Sequence, residues 1–182
     1  KRAYKLLKPK RKIKIKIDNL KLPKNYLGLH VRATDKLVSL YTKLTEIPSK
    51  STIIKSQLNY FLRNIDQIIK KQTDCKNIYL ACDDQNLKLN ILKILKSNGF
   101  RVYLNNSKFY GRRFRQTNAE DFVIDLFCLA NSTKIISSTG GGVPITSSFM
   151  SKKKLKIYNH LDSFNIFYIL NLLSRFIYFF RK

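Results

Sequence analysis

The sequence predicts an α/β fold, a Rossmann-like parallel sheet with helices on both faces. Short strand-like runs recur along the chain, at residues 26–31, 78–82, 101–104, 134–136 and 154–158. Segments with apolar residues at helical spacing lie between most of these runs, and the connections are short. Such alternation favours parallel strands that are joined by crossover helices.

The composition fits one folded domain with a strong positive charge. The chain has 182 residues, of which 44% are hydrophobic, and this content excludes wholesale disorder. Its 36 Lys and Arg residues against 11 Asp and Glu residues give a formal net charge of +25. Such a charge attracts nucleotides, nucleic acids, anionic lipids and acidic glycans, and it does not choose among them.

The cysteines Cys75, Cys82 and Cys128 indicate a reducing compartment. Their number is odd, and their spacing is not that of a metal site. We read no signal peptide in the sequence. We therefore expect a cytoplasmic protein, with the inner face of a membrane as an alternative place of association.

Residues 1–24 form a basic N-terminal segment, in which isoleucine alternates with lysine over residues 13–17. This period of two predicts an edge strand whose lysines face water. A nucleic-acid-binding arm is the alternative, but aromatic residues for base stacking do not interleave with the lysines. We therefore do not expect nucleic acid as a partner.

The end of the first strand carries charge-bearing groups. His30 and Arg32 are two residues apart and therefore project from the same face of the strand, and Asp35 follows in the exit loop. A guanidinium fork matches phosphate oxygens, histidine can donate a hydrogen bond or carry a proton, and Asp35 can accept a proton. Ligands bind beyond the carboxyl ends of strands in open α/β sheets, so we expect a site here. A solvated strand end is the alternative.

The second strand follows a helix predicted over residues 51–71 and ends at Asp83 and Asp84. Asp84 is placed to cap the next helix, which we expect to stop at Asn98 and Gly99. Asp83 then faces the same crevice as Arg32, where its carboxylate can accept hydrogen bonds from a base or a ribose. A second capping acid is the alternative.

The third strand leads into a loop with Arg112, Arg113 and Arg115, which either line an anionic substrate or face solvent. Thr117 and Glu120 have the spacing of a capping box for a helix that runs to about residue 130. Asp125 interrupts the apolar face of that helix. We favour a buried Asp125 paired with an amide or an arginine over a role at a ligand.

The fourth strand is followed at once by Ser137, Ser138, Thr139 and Gly140, with two more glycines after them. Small hydroxyl residues and glycines between a strand and a helix let backbone amides approach an anion closely. The stretch lacks the Gly-Lys-Ser/Thr of a P-loop and the Gly-x-Gly-x-x-Gly of a dinucleotide site. It therefore predicts a phosphate cradle, with a tight turn without a ligand as the alternative.

Residues 25–160 form the predicted Rossmann-like domain, and residues 161–182 form an apolar C-terminal helix. A membrane-spanning helix needs about 20 apolar residues, so the apolar stretch at residues 164–180 is marginal as a span. It either lies in a membrane interface or packs on a partner domain, and we favour packing.

Three strand ends therefore carry unusual residues, and in a parallel sheet these ends collect at one edge. An arginine, a carboxylate and a Ser/Gly cradle together are what a nucleoside diphosphate requires. The convergence is a stronger indication than any single motif.

Residues 30–36, His-Val-Arg-Ala-Thr-Asp-Lys, resemble the His-x-Arg-x-Thr-Asp-Lys motif of the fucosyltransferases related to core alpha-1,6-fucosyltransferase and the nodulation fucosyltransferases. Residues 78–84 are similar to the second motif of that family, and residues 124–139 to the third. The resemblance implies the carboxyl-terminal, donor-binding half of a GT-B glycosyltransferase. It assigns Arg32 to the diphosphate of GDP-fucose, Asp83 and Asp84 to the base side, and the Ser/Thr loop to the phosphates.

The resemblance implies inverting transfer of fucose from GDP-fucose to a glycan hydroxyl, without a cofactor or an essential metal. Two departures concern the catalytic base and the loop. Core members have a Glu shortly after the Asp-Lys pair, where this chain has Leu37 to Leu40, and their third motif ends in Ser-Ser-Gln rather than glycines. Asp35 is the candidate base, with Glu46 or a residue outside the chain as alternatives.

The expected partners are a nucleotide-sugar donor, a glycan acceptor, a missing N-terminal domain and, in the alternative, a membrane surface. Two other functions stay open. One is a glycosyltransferase that uses another nucleotide-sugar, such as a UDP- or ADP-sugar. The other is a basic module that binds nucleic acid or anionic lipid.

Overall fold

The structure is a computed structural model, and it describes residue 4 and residues 6–32, 59–106, 117–138 and 142–159. The strands are β1 (Leu27–Val31), β2 (Asn77–Cys82), β3 (Arg101–Tyr103), β4 (Lys134–Ser137) and β5 (Lys156–Asn159). The helices are α1 (Arg11–Asn19), α2 (Ile65–Gln72), α3 (Gln85–Ser97), α4 (Ala119–Asn131) and α5 (Gly142–Met150).

The five strands form one sheet in the order β3-β2-β1-β4-β5, and every neighbouring pair is parallel. The chain moves outward from β1 through β2 to β3 and then returns to the other side of β1 with β4. The order of the strands therefore reverses beside β1, and ligands bind at such switch points in open α/β sheets. The predicted Rossmann-like α/β fold is confirmed.

One face of the sheet is covered by α2 and α3. The buried side chains there come from the strands and from Phe61, Ile65, Ile69, Ile91 and Leu95, all of which are at most 5% exposed. Their spacing of three or four residues along each helix is the pattern of an amphipathic helix. Burial of these apolar side chains is the main stabilising contribution on this face.

The other face is covered by α4, which packs Ile124, Cys128 and Leu129 on the sheet. Gly28 of β1 lies under the end of this helix. A Cβ atom at Gly28 would lie 2.8 Å from Leu129 Cδ2 and 2.9 Å from Ser132 Oγ, so only glycine lets α4 approach β1 this closely.

The predicted edge strand at residues 13–17 is wrong, because this segment belongs to α1. Ile13 and Ile17 are four residues apart and pack on the core beneath α4, whereas Ile15 is 51% exposed. Their spacing places them on one face of a helix, and contact with α4 favours this state over the strand. Lys12 and Lys16 pair with Glu120 of α4 at 3.4 and 2.6 Å.

Helix ends agree with the predictions in part. Asp84 caps α3, as expected, and the helix stops at Asn98 and Gly99, where Gly99 has a φ of 81°. The predicted capping box is wrong, because Asn118 rather than Thr117 caps α4 and accepts a hydrogen bond from the Asp121 amide. Asparagine takes the cap because its short carboxamide reaches that amide directly.

Several predicted segments are shifted or lie outside the described residues. The predicted helix over residues 51–71 is described only from residue 59 onward, and a turn at Asn64 separates its first part from α2. The arginine-rich loop, the predicted C-terminal helix and the domain boundaries remain predictions. Among the described residues, no helix combines the length and the apolar character needed to cross a membrane.

Candidate functional site

A cavity of about 810 Å³ opens at the carboxyl ends of β1 and β2. The first turns of α4 and α5 form its opposite wall. The residues that line it are His30, Arg32, Ala81, Cys82, Asp83, Thr117, Asn118, Ala119, Phe122, Asp125, Gly142, Val143 and Thr146. The cavity lies at the edge of the sheet where the sequence predicts a site.

His30 is held by its neighbour across the sheet. In the register of β1 and β4 it lies opposite Ser137, and its Nδ1 shares a hydrogen bond of 3.1 Å with Ser137 Oγ. His30 is 6% exposed and Ser137 is fully buried. The serine therefore fixes the orientation of the imidazole, and His30 contributes to the cavity wall from a rigid strand.

Backbone bonds join the two strand ends beyond this pair. The Ser138 amide donates to the His30 carbonyl at 3.0 Å, and the Arg32 amide donates to Ser138 Oγ at 3.2 Å. Ser138 is buried, whereas the half-buried Arg32 lines the cavity. The two serines thus set the path of the chain at Arg32, which lines the cavity.

The two aspartates at the end of β2 have different environments. Asp83 lines the cavity, as expected. Asp84 is not among the residues that line it, and its Oδ1 accepts a hydrogen bond of 2.7 Å from the Leu87 amide. The geometry thus supports Asp84 as a helix cap, and the binding role expected for it stays a prediction without structural support.

Asp125 lines the cavity, although the sequence favoured a buried and paired Asp125 over one with a role at a ligand. It is 8% exposed, and its Oδ1 accepts a hydrogen bond of 2.5 Å from the Tyr79 hydroxyl, not from the amide or arginine that was expected. Burial raises the pKa of Asp125 to about 6, while the hydrogen bond from Tyr79 and the charge of Lys88 act in the opposite direction. The carboxylate is therefore mostly ionised at neutral pH.

The cavity residues that the sequence analysis missed, or considered only as the less favoured alternative, lie mainly on α4 and at its cap. Asn118, Phe122 and Asp125 are spaced by four and three residues, which places them on one face of the helix, and all three line the cavity. This spacing was visible in the sequence. The sequence did not show that this face, rather than the neighbouring one, is turned toward the strand ends.

The cavity is lined both by apolar side chains and by the amino-terminal turns of α4 and α5. Ala81, Cys82, Phe122 and Val143 supply apolar contacts, and burial raises the pKa of the Cys82 thiol to about 12, so the thiol is neutral. The first turns of α4 and α5 carry positive partial charge from their backbone amides. The site can therefore hold a flat apolar ring and an anionic group together.

Asp35, Thr139 and Gly140, which were predicted for the site, lie outside the described residues. Within the described ranges, no group of three or more His, Cys, Asp or Glu side chains is placed to hold a metal ion.

No protein-family model and no curated protein sequence matches the chain. Solved structures do match its fold. The crystal structure of POFUT1 in complex with GDP-fucose has a TM-score of 0.54 and 11% identity over 86% of this chain and 48% of that chain. The structure of NodZ alpha-1,6-fucosyltransferase co-crystallized with GDP has a TM-score of 0.45 and 14% identity over 78% of this chain and 42% of that chain.

A further structure, that of the fucosyltransferase NodZ from Bradyrhizobium, has a TM-score of 0.45 and 14% identity, again over 78% of this chain and 42% of that chain. The chain thus spans about half or less of each of these structures, with 48% of the POFUT1 chain as the largest share among them. At such low identity the likeness is one of fold. The chain has a Rossmann-like α/β fold of the kind found in part of the POFUT1 structure.

Proposed function

We propose that this chain is the donor-binding half of a GT-B glycosyltransferase that transfers fucose from GDP-fucose to a glycan hydroxyl. The observation that carries the proposal is the convergence of Arg32, His30, Asp83 and Asp125 on one cavity of about 810 Å³. This volume lies within the range of small-molecule sites, roughly 300–1,000 Å³. The fold shared with POFUT1, whose structure was solved with GDP-fucose, supports the same function.

Arg32 is the proposed partner of the diphosphate. Its guanidinium fork matches phosphate oxygens, and the amino-terminal turns of α4 and α5 add backbone dipoles on the opposite wall. Negative charge grows on the diphosphate as its bond to the sugar breaks. A fixed positive group at that position stabilises the transition state more than the ground state.

A carboxylate is the proposed reader of the base. An ionised carboxylate can accept two hydrogen bonds, which suits the adjacent N–H groups on the edge of guanine. Asp83 is the candidate from the sequence, and the buried Asp125 is a second candidate because it lies in the same cavity beside the apolar surface of Phe122. His30 orients the nucleotide from the floor of the site.

In an inverting displacement the acceptor oxygen forms a bond to the anomeric carbon while the bond to the diphosphate breaks. The proton of the acceptor hydroxyl passes to a base, for which Asp35, Glu46 or a residue outside the chain are the candidates. We propose that a domain outside this chain supplies the acceptor site, since the chain spans 48% of the POFUT1 chain.

The test is calorimetric titration of the chain with GDP, UDP and ADP at moderate salt, with Arg32→Ala as the variant. Arg101→Ala is the matched control, because Arg101 is exposed at the start of β3 and does not line the cavity. We expect selective binding of GDP that Arg32→Ala weakens at least about tenfold, which corresponds to about 1.4 kcal/mol, and that Arg101→Ala leaves unchanged.

Selective binding of UDP or ADP would instead support a glycosyltransferase with another donor. Equal weak binding of all three nucleotides, unaffected by Arg32→Ala, would contradict a donor site. The formal charge of +25 would then favour a basic module for nucleic acid or anionic lipid, whose affinity falls steeply as the salt concentration rises.

A further inference from the structure

A buried polar cluster lies behind the cavity wall that α4 provides. Its members are Lys88 of α3, Asn105 just after β3, and Asp121 of α4. Lys88 Nζ donates a hydrogen bond of 2.9 Å to the Asn105 carbonyl, and Asn105 Nδ2 donates one of 2.8 Å to Asp121 Oδ1. Lys88 is only 4% exposed and Asp121 only 6%, so both charged groups have been removed from water.

The cluster acts on the first turn of α4. The Asp121 amide donates to Asn118 Oδ1 at 2.7 Å, and Asn118 and the next residue after Asp121, Phe122, both line the cavity. A shift of Asp121 would therefore move two cavity residues with it. The chain of hydrogen bonds from α3 through Asn105 fixes the distance between this wall and the ends of β2 and β3.

Lys88 also acts on the cavity through its charge. Its ammonium group lowers the pKa of Asp125, whereas the charge of Asp121 raises it, and the Tyr79 hydroxyl lowers it through its hydrogen bond. Arg32, His30 and Asp83 lie in the same cavity as Asp125. Cys128, on the same helix as Asp125, is neutral because burial raises its pKa to about 12. Lys88 is thus a buried cation whose charge acts on the carboxylate of Asp125.

Apolar packing alone does not explain a lysine at this position. Lysine is almost never fully buried unless it is paired, and an apolar residue of similar length would fill the same volume without the desolvation penalty. Moreover, Asp121 Oδ2 is buried and has no hydrogen-bond partner among the residues that the structure describes. An unpartnered buried carboxylate oxygen costs stability, so a role other than stability explains the cluster better.

We propose that Lys88 is a positioning residue for nucleotide binding, which holds the first turn of α4 through Asn105 and Asp121 and places a positive charge behind Asp125. The inference rests on the proposed function. It assigns nucleotide specificity to the cavity wall that the first turn of α4 provides. It also identifies Lys88, which lies outside the cavity, as a residue on which this wall depends.

The experiment compares Lys88→Met, which keeps the length and removes the charge, with Lys88→Arg and with Lys96→Met. Lys96 is exposed on the same helix, so it controls for the loss of one positive charge. The probe is GDP-fucose, whose diphosphate does not titrate near neutral pH. We expect Lys88→Met to weaken binding about tenfold, Lys88→Arg to restore part of the affinity, and Lys96→Met to leave it unchanged.

The pH profile separates positioning from a merely structural role. We expect the pKa of Asp125, followed by carboxyl carbon NMR, to rise in Lys88→Met, because the carboxylate loses a nearby cation. The pH midpoint of nucleotide binding should rise with it. If Lys88→Met does not fold, Asn105→Ala replaces it, because this variant keeps the carbonyl that accepts from Lys88 and loses only the bond to Asp121.

The outcomes for the two proposals are distinct. A wild-type chain that binds no nucleotide would overturn the proposed function and this inference together, even with the NMR shift present. A wild-type chain that binds GDP-fucose, with Lys88→Met and Asn105→Ala binding as tightly as Lys96→Met, would overturn this inference alone.

Discussion

The two faces of the sheet differ in what they bury. Under α2 and α3 the side chains of the hydrophobic cluster are aliphatic or phenyl groups, apart from Cys82, and the buried Lys88 of α3 adds a hydrogen bond to the Asn105 carbonyl. Under α4 the core includes two tyrosines, Tyr26 and Tyr79, whose hydroxyls donate to the Cys128 carbonyl at 2.6 Å and to Asp125 at 2.5 Å. The first hydrophobic cluster is held by non-directional packing, whereas the second also contains tyrosine hydrogen bonds with fixed geometry.

The two clusters therefore contribute to the domain in different ways. Polar groups that are buried with directed hydrogen bonds keep a carboxylate and an imidazole at defined positions, whereas aliphatic contacts have no preferred direction. The apolar face offsets the free energy that the polar face needs for desolvation.

The largest effect is expected on the apolar face. Ile65→Ala removes a side chain that is fully buried and should lower the free energy of unfolding by about 2–5 kcal/mol, because it leaves a cavity in a packed core. Urea denaturation measures this loss, with the exposed Gln67→Ala on the same helix as control. Nucleotide affinity of the folded protein should not change. A marked loss of affinity would show that the two faces are not separable.

An effect of about 3 kcal/mol is expected on the polar face, and it depends on pH. The pKa of Asp125 rises from 3.8 to about 6 on folding, mainly through burial. Between these values the folded state binds more protons than the unfolded chain, so stability should fall as the pH rises from about 4 to about 6, by about 3 kcal/mol. Above that window the contribution is constant.

Asp125→Asn isolates this contribution, because the amide oxygen can still accept from Tyr79 and the side chain no longer titrates. We expect the unfolding free energy of the wild type, minus that of Asp125→Asn, to fall as the pH rises from about 4 to about 6. A difference that is flat between pH 4 and 6 would mean that the carboxyl group is as well solvated in the folded protein as in the unfolded chain.

The smallest effect is expected where α4 meets β1. Gly28→Ala places a Cβ atom 2.8 Å from Leu129 Cδ2 and 2.9 Å from Ser132 Oγ, and that serine is itself held by a hydrogen bond of 2.7 Å to the Leu129 carbonyl. The expected loss of stability is about 1–3 kcal/mol, measured by thermal or urea unfolding. Gly142→Ala is the control, since among the described residues no atom outside its chain neighbours and its own helix backbone lies within 4 Å of a Cβ there. Equal stability of both variants would mean that α4 can move away freely.

Strand ends could be predicted from the sequence, whereas the face of α4 that meets the cavity could not. His30, Arg32 and Asp83 were predicted as cavity residues because an apolar run marks where a strand ends, and parallel strands end at a common edge. For Asp125 a role at a ligand was only the less favoured alternative, and Phe122 was not predicted for the cavity, because the apolar surface of α4 is broad and only the docked helix shows which part faces the cavity.

The N-terminal segment shows the same limit. Isoleucine alternates with lysine, a local pattern of strands, yet Ile13 and Ile17 also have helical spacing. Contact with α4 decides between the two, and local propensity does not contain that contact. The capping residue of α4 was missed by one position for a simpler reason, since Thr117 and Asn118 are both good caps.

The central place of β1 has a consequence for how the protein is made. His30 and Ser137, which pair across β1 and β4, are 107 residues apart in the chain. Contacts at such long separation form slowly, because a long loop must close before any pairing energy is gained. β1 is synthesised before β4 and lacks this second neighbour until β4 has left the ribosome. The cavity wall at His30 is thus complete only after β4 has paired, and a chain truncated before β4 would expose one edge of β1 to other molecules.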